Sequence, residues 1–263
     1  QKNRFLHKFT HPTYWEYPLA FSPDGKVLAS GGDSDNVKLW DIDQLNHLHT
    51  IKAHGFPVDA VAFSPDGKML ASGSEDTTIK LWDMKSKECL HVFEGHCTGV
   101  LFLRFSPEGK NLLLSDNVCY FPNYNSPDIE SIKLWDVDNK TCFQSFDCHD
   151  GINVKSAAFS SDCKMLASTS SNNTITLWDI EQKNCLNTFA GHNHSINALA
   201  FSPDGTMLAS ASADCCVKLW NLENNTCIHT LEGHTGSVES LVFSPNGNYL
   251  VSGSKDQTIK LWK

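Results

Sequence analysis

The sequence predicts an all-β chain assembled from six copies of one unit, and three observations carry that prediction. Trp recurs at Trp40, Trp82, Trp135, Trp178, Trp220 and Trp262, at spacings of 42, 53, 43, 42 and 42 residues. His keeps step with it at His11, His54, His96, His149, His192 and His234. Between each His and its Trp lies a turn of the Phe-Ser-Pro-Asp-Gly type, at Phe21–Gly25, Phe63–Gly67, Phe105–Gly109, Phe159–Cys163, Phe201–Gly205 and Phe243–Gly247. Self-similarity at this period marks an array of like units, each burying its apolar faces against its neighbours.

The second copy shows how one unit is built. Val58–Phe63 reads as a first strand and ends in the Ser-Pro-Asp-Gly turn, where Pro65 presets φ and Gly67 permits a positive φ. Lys68–Gly73 is a second strand, Glu75-Asp76 a tight turn, Thr78–Trp82 a third strand and Cys89–Phe93 a fourth. Short strands at even spacing belong to all-β folds. Neither strict alternation nor a helical period is clean, as expected of strands covered on both faces.

With these residues in view, the chain resembles the WD-repeat β-propeller family, whose signature is Gly-His followed by Trp-Asp in a unit of about 40–45 residues. The resemblance covers essentially all 263 residues. It implies one domain, a closed propeller of six four-stranded blades, with repeats near 11–51, 54–93, 96–146, 149–189, 192–231 and 234–263. The sixth copy ends at Trp262-Lys263 without its fourth strand, while Phe5-Leu6-His7-Lys8-Phe9 before His11 matches Cys89-Leu90-His91-Val92-Phe93 before His96. The resemblance therefore implies that residues 4–9 complete the last blade.

Composition narrows the function. A net charge of −9 and a pI near 5.7 repel a phosphate backbone, which argues against nucleic acid as the main partner. The lysines are spread as well: Lys38, Lys80, Lys133, Lys218 and Lys260 each precede Leu-Trp in a different copy. No apolar run reaches the length of a membrane span. No basic segment followed by an apolar stretch opens the chain, so the expectation is a cytoplasmic, monomeric propeller belonging to a larger chain. The repeats also resemble the sensor arrays of large signalling ATPases. Of ten cysteines, Cys89, Cys142, Cys185 and Cys227 share one fourth-strand position and are expected as reduced core thiols. With no Cys-x-x-Cys pair, no metal site or cofactor is expected.

The family resemblance further implies a hydrogen-bonded tetrad of His, Ser, Asp and Trp in each blade. Copies two, five and six carry all four: His54, Ser72, Asp76 and Trp82; His192, Ser210, Asp214 and Trp220; His234, Ser252, Asp256 and Trp262. Copy four has Asn172 for Asp, copy one has Ser34 between Asp33 and Asp35, and copy three has Leu114 for Ser, so those blades are expected to be held less firmly. Ser, His and Asp together would elsewhere suggest a nucleophilic triad. An active site is not copied into every repeat, whereas a buried network that defines the fold is. No phosphate loop, paired-carboxylate motif or His-Glu-x-x-His is present. Two function classes remain: a non-catalytic scaffold or sensor that binds a protein or peptide, and a hydrolase-like propeller enzyme needing Asp59 and Glu239 near the axis. The absence of a singular catalytic cluster favours the first.

The residues that the repeat does not explain point to a binding face. Copy three carries about 11 extra residues between Leu114 and Ile132, within Ser115–Ser131, including Tyr120, Phe121 and Tyr124. Trp15 is the one Trp outside the repeated set, and Tyr14 and Tyr17 flank it. In the family, the loop entering the first strand and the loop between the second and third strands open on one narrow face. That places Trp15, Tyr17, Tyr120, Phe121 and Tyr124 with Phe56 and Pro57 of copy two, and adds Asp59, Glu75, Leu101, Lys155, Asn197 and Glu239 near the channel mouth. Exposed aromatics anchor binding, and the acidic neighbours favour a basic peptide.

Overall fold

Strands alone make up the regular structure of the described residues, in a computed structural model that describes 18–32, 35–96, 99–107, 111–116, 131–147, 154–169 and 172–263. The first sheet is β1 (Leu19–Phe21), β2 (Val27–Ser30), β3 (Asn36–Asp41) and β4 (Asn46–Lys52). The second is β5 (Val58–Phe63), β6 (Met69–Ser74), β7 (Ile79–Asp83) and β8 (Cys89–Phe93). The third holds β9 (Val100–Phe105), β10 (Asn111–Asp116), β11 (Ser131–Asp136) and β12 (Thr141–Asp147). The fourth holds β13 (Ala157–Phe159), β14 (Met165–Thr169), β15 (Thr174–Asp179) and β16 (Asn184–Ala190), and the fifth β17 (Ile196–Phe201), β18 (Met207–Ser212), β19 (Val217–Asn221) and β20 (Thr226–Leu231). The sixth has three strands, β21 (Val238–Phe243), β22 (Leu250–Ser254) and β23 (Ile259–Trp262). In every sheet, strands consecutive in the chain are neighbours.

Six four-stranded sheets were the expectation, and five plus a three-stranded one are observed. The segment expected to supply the last strand, residues 4–9, lies outside the described residues. Strands two and three of the second repeat start and end one residue later than their sequence reading. Asp76 causes the later start of β7: its carboxylate accepts from the Thr78 amide and hydroxyl at 3.0 and 2.6 Å and keeps Thr78 in the turn. Ser115 and Asp116 belong to β10, so the insertion of the third repeat begins after Asp116. The chain divides into two compact units, Gln1–Cys119 with Lys133–Phe143 and Tyr120–Ile132 with Gln144–Lys263.

The Ser-Pro-Asp-Gly turns have one construction. Ser64 Oγ donates to Asp66 Oδ1 at 2.7 Å and accepts from the Met69 amide at 2.9 Å, closing the loop over a buried hydroxyl. The residue after Asp takes a positive φ, +69° at Gly67, and Cys163 adopts +57° where the other repeats have Gly.

Packing runs from repeat to repeat. Ala60, Ala71, Ile79, Leu81 and Phe93 of the second sheet bury against Val100, Leu103, Phe105 and Trp135 of the third. The last large apolar residue of each fourth strand meets the next repeat's Trp: Phe93 lies 5.0 Å from Trp135, and Phe146 and Phe189 lie 5.2 Å from Trp178 and Trp220. Gly73 permits this closeness, since a Cβ there would stand 2.6 Å from the Val100 side chain.

One expectation fails here. Cys89, Cys142, Cys185 and Cys227 are exposed rather than packed. The third-to-fourth strand register slips at the Trp, pairing Leu81 with His91 but Trp82 with Cys89. The fourth strand is outermost and buries its closing Phe, not its opening Cys.

Candidate partner-binding face

In three repeats, four side chains form a continuous relay. His54 Nδ1 lies 2.9 Å from Asp76 Oδ2 and its Nε2 lies 2.7 Å from Ser72 Oγ, which accepts from Trp82 Nε1 at 2.9 Å. The fifth repeat repeats this with His192, Asp214, Ser210 and Trp220 at 2.7, 2.8 and 2.8 Å. The sixth does so with His234, Asp256, Ser252 and Trp262 at 2.7, 2.8 and 2.9 Å. Because the indole N–H occupies one lone pair of the Ser oxygen, the consistent assignment has Ser O–H donating to a neutral His and His Nδ1–H donating to Asp. Burial lowers the pKa of His54 and His192, which fits the neutral ring. Burial of Asp76 and Asp214 opposes ionisation, but their hydrogen bonds outweigh it and hold both carboxyls below the usual range. For Asp256, the Thr258 hydroxyl leads in holding the carboxyl down. Each Asp also accepts from the residue after its His, at 3.3 Å from Gly55, 3.1 Å from Asn193 and 3.0 Å from Thr235.

The other repeats keep fragments of the relay. Trp40 and Trp178 donate to Ser30 and Ser168, both at 2.9 Å, while His11, Asp33, Ser34 and His149 lie outside the described residues. In the third repeat, Leu114 pairs with Leu103 as Ser72 pairs with Val61, so no hydroxyl stands at the relay position. Trp135 Nε1 is buried and has no acceptor among the described residues. Burial, with the Lys133 charge adding to it, pushes the His96 imidazole down to about 3.

That depressed pKa has a sign. Unfolded His96 titrates near 6.5 and the folded form near 3, so the neutral ring contributes its full stability above pH 6.5 and loses it as pH falls toward 3. At pH 5 the loss from His96 is about 2 kcal/mol. Urea midpoints should therefore fall between pH 7.5 and pH 5, and His96→Gln should shrink the difference. A pH-independent midpoint over that range would contradict a neutral His96.

The relay lies beneath two loops that it holds together. Ser74 Oγ donates to the Phe56 carbonyl at 3.2 Å and the Glu75 amide to the Pro57 carbonyl at 3.1 Å. Ser212 reaches the His194 carbonyl and Ser254 the Gly236 carbonyl, both at 2.9 Å. The loop entering the first strand and the loop between strands two and three therefore share one end of each of these repeats. The Ser-Pro-Asp-Gly turn, joining strands one and two, occupies the other end.

Within the first unit this end gathers an apolar and acidic set. Phe56 is 59% exposed and Leu101 46% exposed, with half-buried Pro57 and Asp59 and exposed Glu75 nearby. Gly99 brings the approach to Leu101 against Glu75, because a Cβ there would lie 3.0 Å from Glu75 Cα. Within the second unit the set is polar. Lys155 Nζ donates to Ser195 Oγ at 3.1 Å, and Asn197 Nδ2 donates to Ser237 Oγ and the Val238 carbonyl, both at 3.0 Å. Glu239 pairs with Lys255 at 3.3 Å. Ser195, Ser237 and Lys255 were not singled out from sequence. The two serines stand three residues after the recurring His, a position that the repeat alignment exposes. Trp15, Tyr17, Tyr120, Phe121 and Tyr124 lie outside the described residues.

Lys80 donates to the Ala53 carbonyl at 2.6 Å and Lys133 to the Gly95 carbonyl, so these recurring lysines serve backbone contacts. Among the described residues, no group of three or more His, Cys, Asp or Glu is placed to hold a metal ion. No helix among them is long and apolar enough to cross a membrane.

The repeat geometry agrees with a family match. The WD domain, G-beta repeat family matches residues 19–41, 45–83, 87–121, 140–179, 183–221 and 225–263. The chain belongs to the WD domain, G-beta repeat family. No curated protein matches the chain. WD repeats build β-propellers, and WD-repeat propellers are typically protein-interaction scaffolds, generally without catalysis of their own. The His-Ser-Asp sets of this WD protein are thus read with the repeat that carries them, as links between loops and sheet.

Proposed function

We propose that residues 1–263 form one domain, a closed propeller of six four-stranded blades that acts as a non-catalytic platform or sensor for a protein or peptide. The observation that carries the reading is the division of labour within each repeat. The turns and sheet faces recur and the relay is complete in three repeats, while the pinned loop end carries residues that differ between repeats: Phe56, Pro57, Asp59 and Glu75 in one, Leu101 in the next, then Lys155, Asn197 and Glu239. A core cannot vary in this way, and a recognition surface can.

Trp15, Tyr17, Tyr120, Phe121 and Tyr124 join this face in the proposal. The charge balance refines the preferred ligand. Glu239 pairs with Lys255, and Asp59 and Glu75 place acidic groups near exposed Phe56 and Leu101, a setting for a basic peptide residue with an apolar stem. The protein acts in the cytoplasm as a monomeric propeller within a larger signalling chain; the exposed thiols of Cys89, Cys185 and Cys227 support a reducing compartment.

Closure is supported by the sixth sheet. Ile259 is 78% and Leu261 66% exposed, although Val217, at the position of Ile259 in the fifth repeat, is fully buried. An apolar face of this kind calls for cover, which residues 4–9 supply as the fourth strand.

A peptide selected from a display library against the full chain tests the function. Phe56→Ala, Trp15→Ala and Tyr124→Ala should each weaken its binding by about 2 kcal/mol, roughly 30-fold, while leaving the melting temperature unchanged. Equal affinity in all three variants, with binding lost on Asp66→Ala at the opposite end, would assign the ligand to the other face.

A further inference from the structure

The turn between the first two strands of the sixth repeat differs from its sisters in one functional group. Ser22, Ser64, Ser160 and Ser202 each donate to the Asp two residues on, at 2.6, 2.7, 2.7 and 2.6 Å. The same carboxylates accept from the backbone amides of Lys26, Lys68, Lys164 and Thr206 at 3.0 or 3.1 Å. These bonds, the serine hydroxyl's first among them, hold Asp24, Asp66, Asp162 and Asp204 below the usual carboxylate range. An ionised carboxylate resists attack by a nucleophile. In the sixth repeat the position is Asn246, and its side-chain carbonyl receives both bonds, from Ser244 Oγ at 2.7 Å and from the Asn248 amide at 3.1 Å. Because a backbone amide can only donate, the atom it meets is Oδ1 and not Nδ2.

Two donors therefore polarise a carbon, Asn246 Cγ, that a nucleophile can attack, in the manner of an oxyanion hole. The next residue is Gly247, whose backbone nitrogen no side chain shields, and this is the one Asn-Gly step in the sequence. Asn246 is exposed, and Ser244 is half-buried where Ser22, Ser64, Ser160 and Ser202 are buried. One bond restrains the nucleophile: the Gly247 N–H donates to the Ser244 carbonyl at 2.8 Å. Attack thus waits on local opening of the turn, which is easier where fewer groups are buried.

We propose that Asn246 is a site of spontaneous deamidation that converts the sixth turn to the acidic form of its sisters. Gly247 N gives its proton to hydroxide and bonds to Asn246 Cγ, the Cγ–Nδ2 bond breaks, and ammonia leaves with a proton taken from water. Water then opens the five-membered imide. Addition at Cγ breaks the new Cγ–N bond, returns a proton to Gly247 N and leaves aspartate. Addition at the backbone carbonyl leaves isoaspartate, which lengthens the main chain by one carbon and withdraws the carboxylate from Ser244. The donors of the turn favour the first route. The site lies at the end of the repeat opposite the pinned loops and does not depend on the loop-face reading.

The full chain held at pH 8.5, digested and mapped by mass spectrometry with electron-transfer fragmentation, tests this, since that fragmentation separates aspartate from isoaspartate. The peptide containing Asn246 should gain one dalton faster than the other asparagine peptides, with aspartate the larger product. In urea-unfolded chain, isoaspartate should be the larger product. Faster reaction at another asparagine of the folded chain, or isoaspartate in excess in both states, would overturn the proposal. A second readout checks that the turn accepts the product. Asn246→Asp should melt at the temperature of the parent chain, because Ser244 and the Asn248 amide hold a carboxylate as Ser64 and the Lys68 amide hold Asp66. A lower melting temperature would contradict conversion to the sister form.

Discussion

Ser72→Ala should lower the stability of the chain by about 2–4 kcal/mol. The hydroxyl is fully buried and works in two directions, accepting from Trp82 Nε1 at 2.9 Å and facing His54 Nε2 at 2.7 Å. Its removal strands a buried donor and a buried acceptor together, each at about 1–3 kcal/mol. Asp76→Ala should cost less, about 1–3 kcal/mol, because Asp76 is partly exposed and water can reach the groups it leaves. Affinity for a loop-face ligand should survive in the folded fraction of both variants. Urea denaturation measures the loss. A Ser72→Ala chain with wild-type stability, or one that keeps its stability and loses a hydrolytic activity, would overturn the structural role of the relay.

The third repeat sets the contrast. Leu114 leaves the Trp135 indole without the relay acceptor, and the insertion follows two residues later. The array tolerates an incomplete relay because each repeat is held mainly by its neighbours, as Phe93 against Trp135 shows.

The repeat period made the strand order, the turn chemistry and the tetrad residues legible, because each is written several times, the full tetrad in copies two, five and six, and departures in one copy stand out against the others. The exposed cysteines were not legible. Reading Cys89 as a core residue assumes unbroken alternation along the fourth strand, and the register slip at Trp82 cancels that assumption. The proposed binding face is legible only as a difference between copies. Phe56 and Leu101 could be named from sequence, but the contacts of Lys155 with Ser195 and of Asn197 with Ser237 join residues about 40 positions apart.

The second large effect concerns closure. Among the described residues the sixth sheet has one fewer strand than the others, and its outermost strand exposes Ile259 and Leu261. Removing residues 1–10 from a closed propeller would open a bare strand edge with apolar side chains, a recognised route to self-association. The truncated chain should dimerise or aggregate at micromolar concentration and melt at least about 5 °C lower, given a loss of 2 kcal/mol or more.

Hydrogen exchange at the amides of Ile259–Trp262 tests this closure most directly, since it requires no ligand and reads the edge itself. If residues 4–9 complete the sixth blade, those amides that do not bond to β22 should exchange in the full chain as slowly as the matching amides of Val217–Asn221. They should become fast on removal of residues 1–10. Fast exchange in the full chain, or no change on truncation in a chain that stays monomeric, would contradict a closed six-bladed propeller.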